Sequence, residues 1–230
     1  MTAPAERPPD PALAAQDPAE LFDVVHADGA PTGRTKRRDE VHRDGDWHRS
    51  LHVWLVGVDP AGRAVLTFQR RGRLKDTSPL HLDATVGGHY RAGETLAETL
   101  RETEEEIGLV VAERDLLFAG VRQAASERDG TLDREVQDVY LLRDDRPLTA
   151  LRPNPAELDA LVRVTVADLI ALYAPGGPDA VDGENLDAKT GTVSTCAVRL
   201  PDLLPSVDRY PLKVALAARA LLRGDEQIAV

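Results

Sequence analysis

The sequence predicts an α/β sandwich with a mixed sheet. Three observations carry that expectation. Apolar strand patterns lie on both sides of one short acidic helix. Glycine-rich turns separate the elements, and the helix, roughly Leu96 to Ile107, keeps a narrow apolar stripe for a core. At 230 residues, one domain of ordinary size with extensions holds all of it.

Residues 1–19, rich in Pro and Ala with scattered Asp and Glu, read as a disordered tail, leaving 20–230 as the single domain. Leu21 to Val25 is a short strand pattern, followed by turn chemistry at Asp28-Gly29 and at Pro31 to Gly33. Arg34, Lys36, Arg37 and Arg38 form a basic cluster. A solvated loop explains it, and contact with substrate phosphate is the sharper alternative. His48 to Val56 reads as a buried strand, Asp59 to Gly62 as a turn, and Ala64 to Gln69 as the returning strand. His48 and His52 therefore sit on a strand, where the helical i, i+4 zinc arrangement does not apply. Arg70, Arg71, Arg73 and Lys75 follow; guanidinium suits bidentate phosphate contact and lysine a point charge, and on composition alone a basic surface loop explains them equally well.

Beyond the acidic helix, Leu116 to Ala124 and Val136 to Leu142 are strand candidates around a turn at Glu127 to Gly130. Pro147 to Pro155 is an irregular link, Leu161 to Val166 a strand, and Ala167 to Tyr173 a short helix. Residues 174–195, Gly-rich and polar, read as an exposed loop. Leu212 to Arg223 has an Ala- and Leu-rich helical pattern that closes the core.

Net charge is −11, which argues against non-specific binding to nucleic acid or an anionic membrane. The single cysteine, Cys196, excludes an internal disulfide framework and suits a reducing compartment. No apolar run approaches transmembrane length, and the first residues lack a signal-peptide pattern. A cytoplasmic location is the expectation.

The stretch from Gly87 to Leu109 concentrates the chemistry. Gly87 and Gly88 turn the chain, Ala92 and Gly93 turn it again, and Thr95 caps the helix with Glu98 completing a capping box. Gly108 is placed to end it in a left-handed conformation. Glu98, Glu102, Glu105 and Glu106 occupy an arc of about 100° away from the apolar stripe of Leu96, Leu100, Thr103 and Ile107. Like charges at i, i+4 each cost a few tenths of a kcal/mol. A hard cation with oxygen ligands would offset this, and Mg²⁺ suits carboxylates. A solvated acidic face is the bland alternative. The upstream glycine turn and the Arg101-Glu102 pair favour the cation.

These residues resemble a known family. Arg101 to Leu109, RETEEEIGL, resembles the signature end of the Nudix box, RE-U-x-EE-x-G-U with U aliphatic, and Gly88 followed after five residues by Glu94 resembles its opening. Thr103 stands where an aliphatic residue is usual. Six residues, Thr95 to Leu100, separate Glu94 from Arg101 where the box has seven, which leaves the role of Glu94 open. The resemblance implies a Nudix-type α/β/α sandwich, a pyrophosphohydrolase acting on a small organic diphosphate of nucleoside type, and a protein that can be a homodimer. It further implies Mg²⁺, or alternatively Mn²⁺, held by Glu102, Glu105 and Glu106, with Gly88, Glu94, Arg101 and Gly108 supporting them. Arg71 and Lys75 would hold phosphate, and Glu105 or Glu135 would accept the proton of the attacking water.

Outside the box the chain is similar to the isopentenyl diphosphate isomerase branch. Arg71-Gly72-Arg73-Leu74-Lys75 resembles its R-S-x-x-K, with Gly72 for serine. His48-Arg49, His89 and Asp133-Arg134-Glu135-Val136 resemble its His-Arg, its histidine after the active-site turn and its E-N-E-V. In the isomerases those histidines and acids bind a metal, and the last Glu takes part in proton transfer. His42 sits one residue out of step with their remaining metal histidine. Their catalytic cysteine is replaced by Gly87. The resulting expectation is a hydrolase. An isomerase-like site at His48, His89, Asp133 and Glu135 is the first alternative. A non-catalytic nucleotide-sensing module is the second, and the intact Glu102, Glu105 and Glu106 argue against it.

Overall fold

A computed structural model describes residues 17–75, 77–128, 131–225 and 228–230. Most of the tail expected over 1–19, and the tip of the turn expected at Glu127 to Gly130, lie outside the described residues. In chain order the elements are β1 (Leu21–Val25), β2 (Pro31–Arg37), α1 (Arg38–Asp44), β3 (Trp47–Val58), β4 (Ala64–Arg71), β5 (Leu82–Asp83) and β6 (Val86–His89). Next come α2 (Leu96–Thr99), α3 (Arg101–Ile107), β7 (Leu116–Arg128), β8 (Thr131–Arg143) and β9 (Leu158–Thr165). The chain closes with α4 (Val166–Leu172), β10 (Val181–Asp187), β11 (Val193–Val198) and α5 (Tyr210–Arg223).

β3 is the hub. Its long apolar run is buried on both faces, as a strand covered from two sides requires. The main sheet path is β11-β10-β9-β4-β3-β1-β2, with β5 on β4, β6 and β8 on β3, and β7 on β8. The β3–β8 pair runs parallel from Trp47↔Arg134 to Val56↔Arg143, while the other strand pairs are antiparallel. That one pair makes the sheet mixed.

Alternation along β3 builds two cores. Trp54 and Val56 face α4 and α5 together with Phe68, Leu141 and Val162. Leu51, Val53 and Leu55 face the other way, against Val86, Leu100 and Ile107. The acidic helical stretch and the C-terminal helices therefore cover opposite faces, an α/β/α sandwich. Tyr210, at the start of α5, ties the layers together. Trp54 Nε1 donates to its hydroxyl at 2.9 Å, and His52 Nδ1 lies 3.0 Å away. Tyr210→Phe would strand two buried polar groups, so a loss of about 1–3 kcal/mol is expected. A lower urea midpoint with an unchanged denaturant slope would register it.

Three expectations need correction. The single helix over Leu96 to Ile107 is two pieces, α2 and α3, meeting at Leu100. Arg101 Nη1 takes the Glu98 carbonyl at 3.2 Å and Thr103 N takes the Leu100 carbonyl at 3.1 Å, so the turn tightens there. The Thr103 hydroxyl, within 2.8 Å of Leu100 O and 2.6 Å of Leu109 O, reinforces the break in a way an aliphatic residue could not. Residues 174–195 are not simply an exposed loop, because β10 and the start of β11 form a hairpin at the sheet edge. Its buried positions are Val181, Gly183, Asn185 and Leu186, and a Cβ on Gly183 would crowd Val198 and Val162 at 3.1 and 3.2 Å. Gly and Asn at buried positions concealed the strand pattern. Likewise Pro31 to Gly33 opens the edge strand β2 instead of forming a free turn.

Candidate active site

β6 is a thin wall between two cavities. It pairs with β3 from Val53↔Val86 to Ser50↔His89. On one side lies a cleft of about 650 Å³ carrying Glu102, Glu105, Glu106, Arg71 and Lys75. On the other is a cavity of about 250 Å³ carrying His42, His52, Asp133, Glu135 and Arg122. Gly87, Gly88, His89, Arg38 and Arg71 face both. Gly88 is needed because α3 presses on the wall. A Cβ there would stand 2.5 Å from Glu102 Cγ.

In the cleft, Glu106 is only 2% exposed. Its Oε2 accepts two long hydrogen bonds, from Gly87 N and Gln69 Nε2, both 3.4 Å. Burial pushes its carboxyl well above the ordinary range. Burial also raises Glu102 to about 7, against the opposing pull of Arg101. Glu105, on α3, is half-exposed and lines the cleft. Arg101 binds Glu94 through Nη1 and donates to Glu102 Oε1 from Nη2 at 2.8 Å, with Nε 3.9 Å from Glu105. The shortened spacing thus keeps Glu94 in contact with Arg101. Glu94 also accepts from Arg91 N at 2.9 Å, bracing the preceding turn. Glu98 is occupied by the expected capping box with Thr95.

The phosphate candidates are paired already. Arg71 donates to Asp83 Oδ2 at 3.1 Å and to Thr77 Oγ1 at 2.9 Å, and Lys75 donates to Glu157 Oε2 at 2.7 Å. In all, four cationic side chains in the cleft, Arg38, Arg71, Lys75 and Arg91, face six carboxylates. Gly108 ends α3 at φ +70°, and a Cβ would meet Arg152 Cβ at 2.9 Å.

Across β6, the ligand atoms of His42, His48 and His89 lie within 4.8 Å of one another, as do those of His48, Asp133 and Glu135. Among the described residues the glutamates of the cleft do not gather that tightly. His42 joins this group despite its offset in sequence. α1 ends at Gly45, φ +67°, and that left-handed turn brings its ring to 5.2 Å from the His48 ring. Phe22 stacks on His48 and His89 and holds them in place.

His48 is fully buried, with Nδ1 3.2 Å from the Asp46 carbonyl, which makes Nδ1 the donor. Its Nε2 makes no hydrogen bond among the described residues and lies 3.7 Å from Asp133 Oδ1. A buried lone pair aimed at a carboxylate fits a cation between them. Burial lowers His48, and lowers His89 to about 3, so both offer neutral imidazole. For Glu135, burial pushes upward, but the hydrogen bond from His89 at 2.9 Å holds it well below the usual carboxylate range.

Gln69, Glu157, Phe22, Gln137 and Arg122 belong to these two sites but were not expected from sequence. Each arrives from a distant strand or loop, and no local pattern marks it.

Comparison with known proteins identifies the family. The NUDIX domain family model matches residues 48–182, more than half of the chain. The chain belongs to the NUDIX family, and it is a Nudix-type pyrophosphohydrolase enzyme of a class that uses divalent metal ions. It is 29% identical over 150 residues to an uncharacterised Nudix hydrolase of Clostridium acetobutylicum, covering 65% of this chain and 72% of that protein. It is 36% identical over 151 residues to Nudix hydrolase 3 of Arabidopsis thaliana, covering 64% of this chain but only 18% of the plant protein. The match to the isopentenyl-diphosphate Delta-isomerase of Escherichia coli O127:H6 is 27% over 118 residues, 51% of this chain and 63% of the isomerase. No helix among the described residues is long and apolar enough to cross a membrane.

Proposed function

We propose that the protein hydrolyses a phosphoanhydride bond in an organic diphosphate of nucleoside type, with Mg²⁺, or else Mn²⁺, held by Glu102, Glu105 and Glu106. The observation that carries this reading is the buried Glu106 carboxyl beside the half-buried Glu102, in a cleft lined by six carboxyl groups and four cationic side chains. Burial holds both carboxyls toward their neutral form, and a divalent ion beside them would favour the charged form that can ligate it. A bound divalent ion would neutralise diphosphate charge and make water more acidic. Arg101 would hold Glu102 in place, and Arg71 and Lys75 would grip phosphate oxygens, pre-oriented by Asp83 and Glu157. Glu105 lies in the cleft, whereas Glu135 lies beyond β6 and is tied to His89 and Gln137. Glu105 is therefore the proposed general base.

A second reading is favoured by the assembled His42, His48, His89, Asp133 and Glu135. An isomerase-like site would use that cluster. It lacks the thiol, since Gly87 stands there, although the nearest atoms to a Cβ at Gly87 are 3.7 Å away and leave room for one. One assay separates the readings. A panel of nucleoside diphosphate sugars, dinucleotides, nucleoside di- and triphosphates and isopentenyl diphosphate is offered with Mg²⁺, with Mn²⁺ and with chelator. Metal-dependent release of nucleotide or phosphate is the expected result. Rearranged isopentenyl diphosphate without any release would overturn the hydrolase reading. Tight nucleotide binding without turnover under either metal would point to a sensing module instead.

A further inference from the structure

Glu135 ends two hydrogen-bond chains that run in one direction. From one side, Arg122 Nη1 donates to Gln137 Oε1 at 2.6 Å, and Gln137 Nε2 donates to Glu135 Oε2. From the other side, Arg38 Nη1 lies 3.4 Å from His89 Nδ1, and His89 Nε2 donates to Glu135 Oε1 at 2.9 Å. Guanidinium has donors only. With Arg122 facing its oxygen, the Gln137 amide has one orientation left, its nitrogen toward Glu135. With Arg38 facing Nδ1, His89 is fixed as the Nε2–H tautomer.

Arg122 is itself locked. Its Nε and Nη2 fork onto Asp208 at 3.0 and 3.1 Å, and its guanidinium lies 4.2 Å from the Tyr210 ring centroid. Neither the acidic cleft nor the family resemblance uses Arg122, Gln137 or Asp208. The parts come from β7, β8 and the segment before α5.

We infer that Arg122 is a positioning residue for the histidine–carboxylate cluster, setting the orientation of Glu135 through the Gln137 amide. The inference rests on the reading that this cluster holds a divalent cation. Glu135 meets His48 and Asp133 with ligand atoms within 4.8 Å. A carboxylate already oriented by hydrogen bonds loses less freedom on coordination, and removing such supporting partners weakens metal affinity by about 10–100-fold.

The test is Co²⁺ titration of the full chain, followed by visible absorption and calorimetry, with thermal melts on every variant. Wild type should show a Co²⁺ band that His48→Ala abolishes, which marks the cluster. Arg122→Met should weaken that site about 10–100-fold. Gln137→Met should do the same, and the double variant should lose no more than either single one. Arg122→Lys, also a pure donor, should recover part of the affinity. Gln137→Met leaves the Arg122–Asp208 pair intact and decides the matter should Arg122→Met fail to fold. Unchanged affinity in the Gln137 and Arg122 variants, or simply additive losses in the double, would overturn the positioning role alone. No His48-dependent band in wild type would overturn the cation reading of the cluster and this inference with it.

Discussion

Glu106→Gln is expected to remove turnover while making the metal-free protein more stable. Glu106 is buried against Gly87 and Gln69, with hydrogen bonds too long to replace water. Its folded pKa stands above its unfolded value near 4.5. The folded state therefore binds more protons, and stability contributed by this group falls as pH rises above about 4.5. Glutamine keeps the shape without the charge. At pH 8 with chelator the variant should gain roughly 1–3 kcal/mol, and the gain should shrink toward pH 5. Activity with Mg²⁺ should fall by about 100-fold or more, the scale of losing one group that stabilises developing charge. Urea midpoints at the two pH values, set beside steady-state rates, check both halves. A variant less stable than wild type at pH 8 would mean that Glu106 is satisfied by the fold and needs no cation.

Gly88→Ala should be nearly as damaging without altering a charge. The added Cβ would fall 2.5 Å from Glu102 Cγ and 2.8 Å from Cδ, while Arg101 holds the same carboxylate at 2.8 Å from the other side. Glu102 has to swing away from the cleft. A loss of kcat/KM on the order of 100-fold is expected, with about 1–3 kcal/mol of strain in the fold. Gly87→Ala is the control next door. Its Cβ would meet Gln69 and His52 at ordinary contact distance, 3.7 Å, so most activity should survive. Steady-state kinetics on the pair decide. Equal losses at both positions would show that the wall tolerates no side chain anywhere, and the role assigned to Glu102 would lose its support.

The acidic stretch was legible because its residues are local. The capping box of Thr95 and Glu98, the terminal Gly108 and the apolar stripe depend on neighbours within two helical turns, and all are found. The break at Leu100 is not legible in the stripe, since Thr103, read there as one of its members, also satisfies backbone carbonyls. β10 escaped notice because Gly183 and Asn185 are buried, so its alternation is steric more than apolar. The histidine cluster was half visible. His48, His89, Asp133 and Glu135 stood out by resemblance, whereas His42 enters only through the turn at Gly45. Glu157 and Arg122 depend on strand neighbours far away in the chain, and no spacing rule reaches that distance.

The parallel pairing of β3 with β8 also sets the order in which the molecule can be completed. His48 and Glu135 stand directly opposite each other on β3 and β8, so their meeting waits on a long-range closure of the chain. Long-range parallel pairing is among the slower steps of folding. During synthesis the whole segment from Gly87 to Leu109 emerges before β8 does. A nascent chain therefore has its acidic helices and their glycine turn in hand while the histidine cluster still lacks both carboxylates. Tight cluster occupancy by a divalent ion would thus report the finished chain and not a partly folded one.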